Sequence, residues 1–159
     1  MRFLFLLFWL GVSSMVYAQT FQSMSFDQLK QRLNETKDSI VVLNFWATWC
    51  KPCVEELPYF EQLNQAYSFQ KVKVILVNLD FNTKIKSTVE PFIKRKNLKS
   101  EIIHITNTDP NMWINRIDST WSGAIPATVI YNSSRQKISF REGQMTYNEL
   151  ESIVRPHIK

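Results

Sequence analysis

Residues Ile40 to Trp46 form an apolar run interrupted only by Asn44, and the pentapeptide Trp49-Cys50-Lys51-Pro52-Cys53 follows closely. The run predicts a central strand that is covered on both faces of its sheet. The pattern turns helical after it, so we expect Cys50 at a helix N-terminus, where free N–H groups and the helix dipole stabilise a thiolate. A Cys-X-X-Cys pair at this junction predicts redox chemistry, in which one thiolate attacks a disulfide and the second cysteine resolves the mixed disulfide.

Three other roles are open to the same two cysteines. A structural disulfide would close a very short loop, and the chain-entropy model gives such a loop only about 2 kcal/mol. A zinc site usually needs four ligands, and the only histidines, His104 and His157, are far from the cysteines in sequence. Two inert core thiols are the last alternative. Thiol chemistry is the favoured interpretation, and we expect neither a metal nor another cofactor.

The first 18 residues have the pattern of a secretory signal peptide. Arg2 supplies a positive charge, residues 3–10 are apolar, and small residues at positions 16 and 18 fit a signal peptidase. We expect cleavage after Ala18 and a single exported domain over residues 19–159. The apolar stretch is shorter than the roughly 20 residues that span a bilayer, and an uncleaved segment would instead associate the protein with the membrane. Export predicts a periplasmic or other extracytoplasmic, oxidising compartment.

The formal net charge is +5 at pH 7. Lysines are scattered from residue 71 to residue 99, mixed with acidic residues and without interleaved aromatic residues. This pattern indicates a solvated surface, so we do not expect nucleic acid as a partner. We expect the domain to be a monomer.

Hydrophobic periodicity predicts the element order α-β-α-β-α-β-α-β-β-α. The first helix begins at a capping box formed by Ser25 and Gln28. Strands are predicted at residues 40–46, 72–79, 101–105, 127–131 and 137–142, and the later helices at 50–69, 83–96, 110–119 and 147–158. Alternating strands and helices imply parallel crossovers, and the last two strands form an antiparallel pair. The fold class is therefore α/β, with a mixed central sheet flanked by helices.

At this level of detail the chain resembles the exported thioredoxin-like thiol-disulfide reductases, the TlpA/ResA branch of the thioredoxin superfamily. The resemblance covers about residues 25–158 and rests on the segments Asn44 to Cys53, Glu56 with Pro58, and Gly123 to Thr128. It implies a thioredoxin fold with an extra strand-helix insertion before a cis-proline. The insertion would lie between Leu79 and Pro126.

The resemblance also implies roles for individual residues. Cys50 would be the attacking thiol and Cys53 the buried resolving thiol. Pro126 would be the cis-proline that faces the dithiol, although the sequence alone would predict a trans proline at the start of a strand. Ile125 would offer backbone hydrogen bonds to a bound peptide.

Three further residues complete the predicted site. Trp49 and Pro52 lie beside the first thiol and are the candidates for apolar surface that binds substrate. Glu56 lies three residues after Cys53 on the same helical face, so its carboxylate is a candidate for proton transfer at that thiol. The alternative for Glu56 is an ordinary first-turn acid that complements the helix dipole. Asn44 stands where thioredoxins carry a buried aspartate, and that relay is therefore missing.

The function implied by the resemblance is the reduction of protein disulfides outside the cytoplasm through the Cys50–Cys53 dithiol. Its partners would be disulfide-bearing proteins and a membrane-embedded thiol electron donor, and a role in cytochrome c maturation would fit. The alternatives are a dithiol oxidase or isomerase of secreted proteins and a non-catalytic peptide-binding module of the same fold. A peroxidase would use a lone cysteine in a different context.

Overall fold

The computed structural model describes residues 21–36, 38–107 and 109–158. The predicted signal peptide and its cleavage site lie outside these residues. The strands are β1 (Phe21–Met24), β2 (Ile40–Trp46), β3 (Val72–Asn78), β4 (Glu101–Ile105), β5 (Ala127–Tyr131) and β6 (Lys137–Glu142). The α-helices are α1 (Phe26–Glu35), α2 (Lys51–Tyr67), α3 (Glu90–Lys96), α4 (Ile114–Ile117) and α5 (Tyr147–Val154).

The six strands form one mixed sheet in the order β1-β4-β3-β2-β5-β6. The first four neighbours in this order are parallel, whereas β5 runs antiparallel to both β2 and β6. The mixed sheet and the terminal antiparallel pair were both predicted. Strand β1 was not predicted, because it has only four residues and forms by pairing with β4 at the sheet edge, where Phe21 lies opposite Ile102.

The capping box at Ser25 is present, with the side chains of Ser25 and Gln28 each accepting from the other's backbone N–H. The helix predicted at residues 83–96 is instead divided into a 3₁₀ turn, a π-helical turn (Ile85–Val89) and α3. Pro91 gives the physical reason, because proline has no N–H for the residue four positions earlier and its ring crowds that carbonyl. The π-helical turn satisfies the backbone just before Pro91, since the Glu90 N–H donates to the Ile85 carbonyl oxygen.

Two other predicted helices are shorter than expected. The segment predicted at residues 110–119 contains a 3₁₀ turn (Pro110–Met112) and the four-residue α4, separated at Trp113 by a residue with φ of −141°. The C-terminal helix ends at Val154, and a 3₁₀ turn that contains Pro156 follows it. These breaks leave the core positions of both segments in place.

Strand β2 is buried along its whole length and divides the core into two parts. Ile40, Val42 and Trp46 face a cluster that includes the buried residues of α2, α3 and α5. The alternate residues of β2 face a second cluster formed with α1, α4 and the buried indole rings of Trp113 and Trp121. The end of β2 is therefore held from both faces, which fixes the point at which the cysteine segment leaves the sheet.

Arg135 lies in the turn between β5 and β6. Its φ is +63°, a left-handed conformation that favours glycine, and the hairpin nevertheless forms. Its guanidinium donates to the carbonyl oxygens of Leu33 and Ser39 at 2.9 Å and to Thr36 Oγ1 at 2.7 Å. These bonds fasten the hairpin turn to the segment between α1 and β2.

We expect Arg135→Ala to lower the free energy of unfolding by about 2 kcal/mol, because four charge-assisted hydrogen bonds are lost, the fourth a 3.3 Å bond to the Asn132 carbonyl oxygen. Arg135→Gly loses the same bonds but relieves the left-handed backbone, so it should be more stable than Arg135→Ala by about 0.5–1 kcal/mol. Urea denaturation of the purified proteins measures both differences.

The matched control for this experiment is Arg155→Ala, since Arg155 is exposed and donates no side-chain hydrogen bond within the described chain. Its stability should change by less than about 0.5 kcal/mol. Equal losses for Arg135→Ala and Arg155→Ala would show that the hydrogen bonds of Arg135 contribute nothing.

Candidate active site

The two cysteines lie at the start of α2 and are joined by a disulfide bond, with their Cα atoms 5.3 Å apart. Cys50 is the N-cap residue of α2, and the Cys53 N–H donates to its Sγ at 3.3 Å. Pro52 occupies the first turn, where a missing N–H costs nothing. The strand-helix junction therefore has the form that the sequence predicts, and the first sulfur accepts a hydrogen bond from the helix N-terminus.

The two cysteines differ in exposure. Cys53 is completely buried, whereas Cys50 retains 5% of its surface and is followed by the exposed Lys51 and Pro52. Trp49, on the other side of Cys50, is 64% exposed. Cys50 is thus the more accessible of two largely buried cysteines, and the apolar residues predicted to bind substrate are its neighbours in the chain.

The predicted cis-proline is present, since the peptide bond between Ile125 and Pro126 is cis. Cys50 Sγ lies 3.7 Å from the carbonyl oxygen of Ile125, so this loop borders the disulfide. The loop is shaped by Gly123, whose φ is +93° and where an added Cβ would meet the Ile114 side chain at 3.0 Å. The Trp121 indole N–H also donates to the Ala124 carbonyl oxygen at 2.8 Å.

Glu56 is completely buried one turn after Cys53. Its Oε1 accepts a 2.6 Å hydrogen bond from Asn44 Nδ2 on β2, and its Oε2 accepts a 2.8 Å bond from the Met145 N–H. Burial raises the pKa of the Glu56 carboxyl from 4.5 to about 7, against the lowering effect of these two hydrogen bonds. Glu56 is thus not a surface acid, and it holds or releases a proton near neutral pH.

Lys51 and Glu55 contribute little to the environment of the disulfide. Their charged groups lie 3.8 Å apart, with the side chains 87% and 54% exposed. An exposed pair of this kind is worth well under about 1 kcal/mol. Lys51 is therefore a solvated cation beside Cys50.

Sequence analysis missed a second buried carboxylate, Asp80, which lies two residues after the end of β3. Its two oxygens accept hydrogen bonds from the Thr48 N–H at 2.8 Å and the Thr48 hydroxyl at 2.6 Å. Asn78 Nδ2 donates to it at 2.8 Å, and Asn78 Oδ1 in turn contacts the buried His104 ring at 3.2 Å. The available signal was the position of Asp80 at the carboxyl end of a predicted strand, because such ends gather at one edge of a parallel sheet.

Comparison with known proteins agrees with this geometry. The sequence model of the AhpC/TSA family matches residues 17–138. The chain belongs to this family. Among curated relatives, it is 31% identical over 126 residues to the thiol-disulfide oxidoreductase ResA of Geobacillus kaustophilus, covering 77% of this chain and 65% of that protein. It is 30% identical over 144 residues to the thioredoxin-like protein YneN of Bacillus subtilis, covering 89% of this chain and 78% of that protein.

Solved structures show the same fold. The crystal structure of StoA from Bacillus subtilis superposes with a TM-score of 0.59 at 28% identity, over 74% of this chain and 83% of that chain. A thioredoxin family thiol:disulfide interchange protein from Chlorobium tepidum superposes with a TM-score of 0.66 at 18% identity, over 79% of this chain and 84% of that chain. The fold is therefore the predicted thioredoxin fold.

The chain spans about 65% of the length of the ResA proteins that it matches first. Within residues 21–36, 38–107 and 109–158, no helix has the length and apolar composition needed to cross a membrane.

The pKa of Glu56 predicts how stability depends on pH. The folded protein binds this proton more tightly than the unfolded chain, so its stabilising effect is complete below about pH 4.5 and is lost as the pH rises to about 7. Over this window the oxidised protein should lose up to about 3 kcal/mol that the Glu56→Gln variant does not lose. Urea denaturation at several pH values gives the comparison.

Glu55→Gln is the control for this measurement, because Glu55 is the exposed neighbour on the same helix. It should keep the pH dependence of the unchanged protein. If Glu56→Gln also keeps it, the Glu56 carboxyl does not titrate in this range.

Proposed function

We propose that this protein is a thiol-disulfide oxidoreductase that reduces protein disulfides through Cys50 and Cys53. The observation that carries the proposal is the difference between the two sulfurs at the start of α2. Cys50 caps the helix and retains 5% of its surface, whereas Cys53 is completely buried. The names of the curated relatives support the same reaction class.

The reaction begins from the reduced dithiol. The Cys50 thiolate attacks one sulfur of a substrate disulfide, a mixed disulfide forms, and the other substrate sulfur leaves as a thiolate that takes up a proton. The Cys53 thiolate then attacks Cys50 Sγ, which releases the second substrate thiolate and forms the Cys50–Cys53 disulfide. The substrate gains two electrons and two protons, and the protein loses them. The structure corresponds to the oxidised product of this cycle.

Glu56 is the proposed proton acceptor for the second step. Cys53 is completely buried and must lose its proton before it attacks, and Glu56 lies one helical turn further on the same face. A carboxyl with a pKa of about 7 can accept that proton near neutral pH and return it when the disulfide is reduced. In this role Glu56 replaces the buried aspartate of thioredoxins, at whose position Asn44 instead holds the Glu56 carboxyl.

The cis-proline loop is the proposed binding site for the substrate backbone. The Ile125 carbonyl oxygen faces Cys50 Sγ, so a peptide lying along Ile125 places its own sulfur next to the attacking one. Trp49 and Pro52 border the same position with exposed apolar surface. These contacts would orient the substrate disulfide for in-line attack.

The signal-peptide pattern of residues 1–18 supports a site of action outside the cytoplasm, in the periplasm or an equivalent compartment. A reductase in an oxidising compartment must be re-reduced after each cycle, and a membrane-embedded dithiol is the proposed donor. Apocytochrome c, whose cysteines must be reduced before haem attachment, is the proposed substrate. The protein would act as a monomer.

The variants Cys53→Ser and Cys50→Ser test the assignment of the two sulfurs. Cys53→Ser should accumulate a mixed disulfide with a disulfide-bonded peptide, because the resolving thiol is missing. Cys50→Ser should form none, because the remaining thiol is buried. Mass spectrometry of acid-quenched mixtures detects the adduct.

The unchanged protein, supplied with dithiothreitol, should reduce the same peptide repeatedly, and both variants should lose this turnover. A mixed disulfide formed by Cys50→Ser but not by Cys53→Ser would reverse the assignment. Turnover by either single-cysteine variant at the rate of the unchanged protein would refute the dithiol mechanism.

A further inference from the structure

Two exposed aromatic side chains lie beyond the carboxyl ends of the central strands β2 and β3. The disulfide at the start of α2 lies at the same end of the sheet. Among the described residues, five large apolar side chains are markedly exposed: Trp49, Tyr59, Phe69, Phe81 and Met112. Trp49 is 64% exposed and Phe81 is 71% exposed. They leave from the loops that follow β2 and β3, which are parallel neighbours in the sheet.

The two loops are joined by a short set of hydrogen bonds. Trp46 and Asn78 end their strands opposite each other, and the Leu79 N–H donates to the Trp46 carbonyl oxygen at 2.8 Å. Two residues further on, Thr48 donates both its N–H and its hydroxyl to the buried carboxylate of Asp80. Trp49 and Phe81 are the next residues after the two members of this bonded pair, and Cys50 follows Trp49.

The loop that carries Phe81 is also fastened on its far side. The Phe81 carbonyl oxygen accepts a 2.8 Å hydrogen bond from the Lys84 N–H, and Asn82 Oδ1 lies 2.7 Å from Nε2 of the buried His104. The backbone is therefore ordered by polar contacts, while the phenyl ring remains largely in water. A large ring on an ordered loop costs little conformational entropy when a ligand covers it.

We propose that Phe81 and Trp49 together bind a large apolar side chain that lies next to the reacting cysteine of a polypeptide substrate. The proposal rests on the proposed function, because the bound chain is the one whose disulfide Cys50 attacks. Its basis is the pairing of the two loops, since each exposed ring belongs to the residue that follows one member of the Thr48–Asp80 pair. Strand β3 lies on the opposite side of β2 from β5, so Phe81 follows the neighbouring strand away from the Ile125 loop. The site thereby favours protein substrates with an aliphatic or aromatic residue beside the cysteine over small polar disulfides.

The test compares three disulfides that differ in apolar surface. These are a disulfide-bonded peptide with leucine beside one cysteine, the same peptide with serine there, and glutathione disulfide. Phe81→Ala should lower kcat/KM for the leucine peptide by about tenfold, as expected for truncating one aromatic contact at the centre of a small interface. The rates for the serine peptide and for glutathione disulfide should stay within about twofold.

Phe69→Ala is the matched control, because Phe69 is 90% exposed and lies just beyond the opposite end of α2 from the disulfide. It should leave all three rates unchanged. A Phe81→Ala variant that slows all three disulfides equally would show a general disturbance of the site, and one that slows none would show no contact. Either result overturns the proposal.

Binding without chemistry separates this proposal from the proposed function. The leucine and serine peptides with S-methylated cysteines cannot exchange disulfides, and isothermal titration gives their Kd values directly. The leucine peptide should bind the unchanged protein about tenfold more tightly than Phe81→Ala. Absence of turnover with all disulfides would refute the proposed function alone, whereas equal Kd values for the two proteins would overturn the role of Phe81.

A second copy of the chain is the competing occupant of this surface. Sedimentation equilibrium of the unchanged protein and of Phe81→Ala distinguishes it from a substrate. Both proteins should be monomeric under the assay conditions. A dimer that Phe81→Ala dissociates would mean that the surface is covered by another copy, and the proposal would fall.

Discussion

The site depends most on the hydrogen bonds of the buried Glu56 carboxyl. It joins three parts of the chain, because Glu56 belongs to α2, Asn44 donates to it from β2, and the Met145 N–H donates to it from the segment before α5. A carboxyl group buried without partners would cost several kcal/mol, and these hydrogen bonds offset much of that cost. The helix that carries both cysteines is thereby held against the central strand at its first turns.

This arrangement follows from the pattern of β2. Ile40, Val42 and Trp46 face the cluster under α2, and Asn44 is the polar residue among them. Its side chain therefore meets α2 within the core, where its amide nitrogen donates to the Glu56 carboxyl and also to the Thr128 hydroxyl on β5. The same contact that fastens the helix also leaves an ionisable group one turn from Cys53.

The charges around the two sulfurs act on the thiolates in opposite senses. The helix N-terminus and Lys51 favour a thiolate at Cys50, but Lys51 is largely solvated and its effect is screened. Against them stand the Glu56 carboxyl near Cys53 and the Asp80 carboxylate, which binds Thr48 two residues before Cys50. Negative charge and apolar surroundings disfavour thiolates, and a pair whose thiolates are disfavoured is more easily kept as a disulfide. Because these effects oppose each other, the expectation of a reducing dithiol rests mainly on the resemblance to the exported reductases.

Much of the fold could be predicted because burial leaves a strong pattern. Strands β2, β4, β5 and β6 have the predicted bounds, since each is a run of apolar or alternating residues bounded by polar turns. Strand β1 has no such pattern of its own and depends on the edge of β4. The cis conformation at Pro126 was expected only from the family resemblance.

The site was predictable only where its residues are close in sequence. The spacing of Cys50, Cys53 and Glu56 is a helical spacing and can be read directly. The bond between Thr48 and Asp80 joins residues 32 apart, and only the register of β2 against β3 brings them together. The exposure of Phe81 depends on the same register, so sequence analysis could not distinguish it from a core residue.

The measurement that tests this account most directly is the reduction potential of the Cys50–Cys53 pair. The purified protein is equilibrated at pH 7 with defined ratios of reduced and oxidised dithiothreitol or glutathione, and the thiols are counted after rapid alkylation. The account predicts a potential near thioredoxin's value of about −270 mV. A potential above about −150 mV, towards the range of dedicated oxidants, would contradict it and make this protein a donor of disulfides.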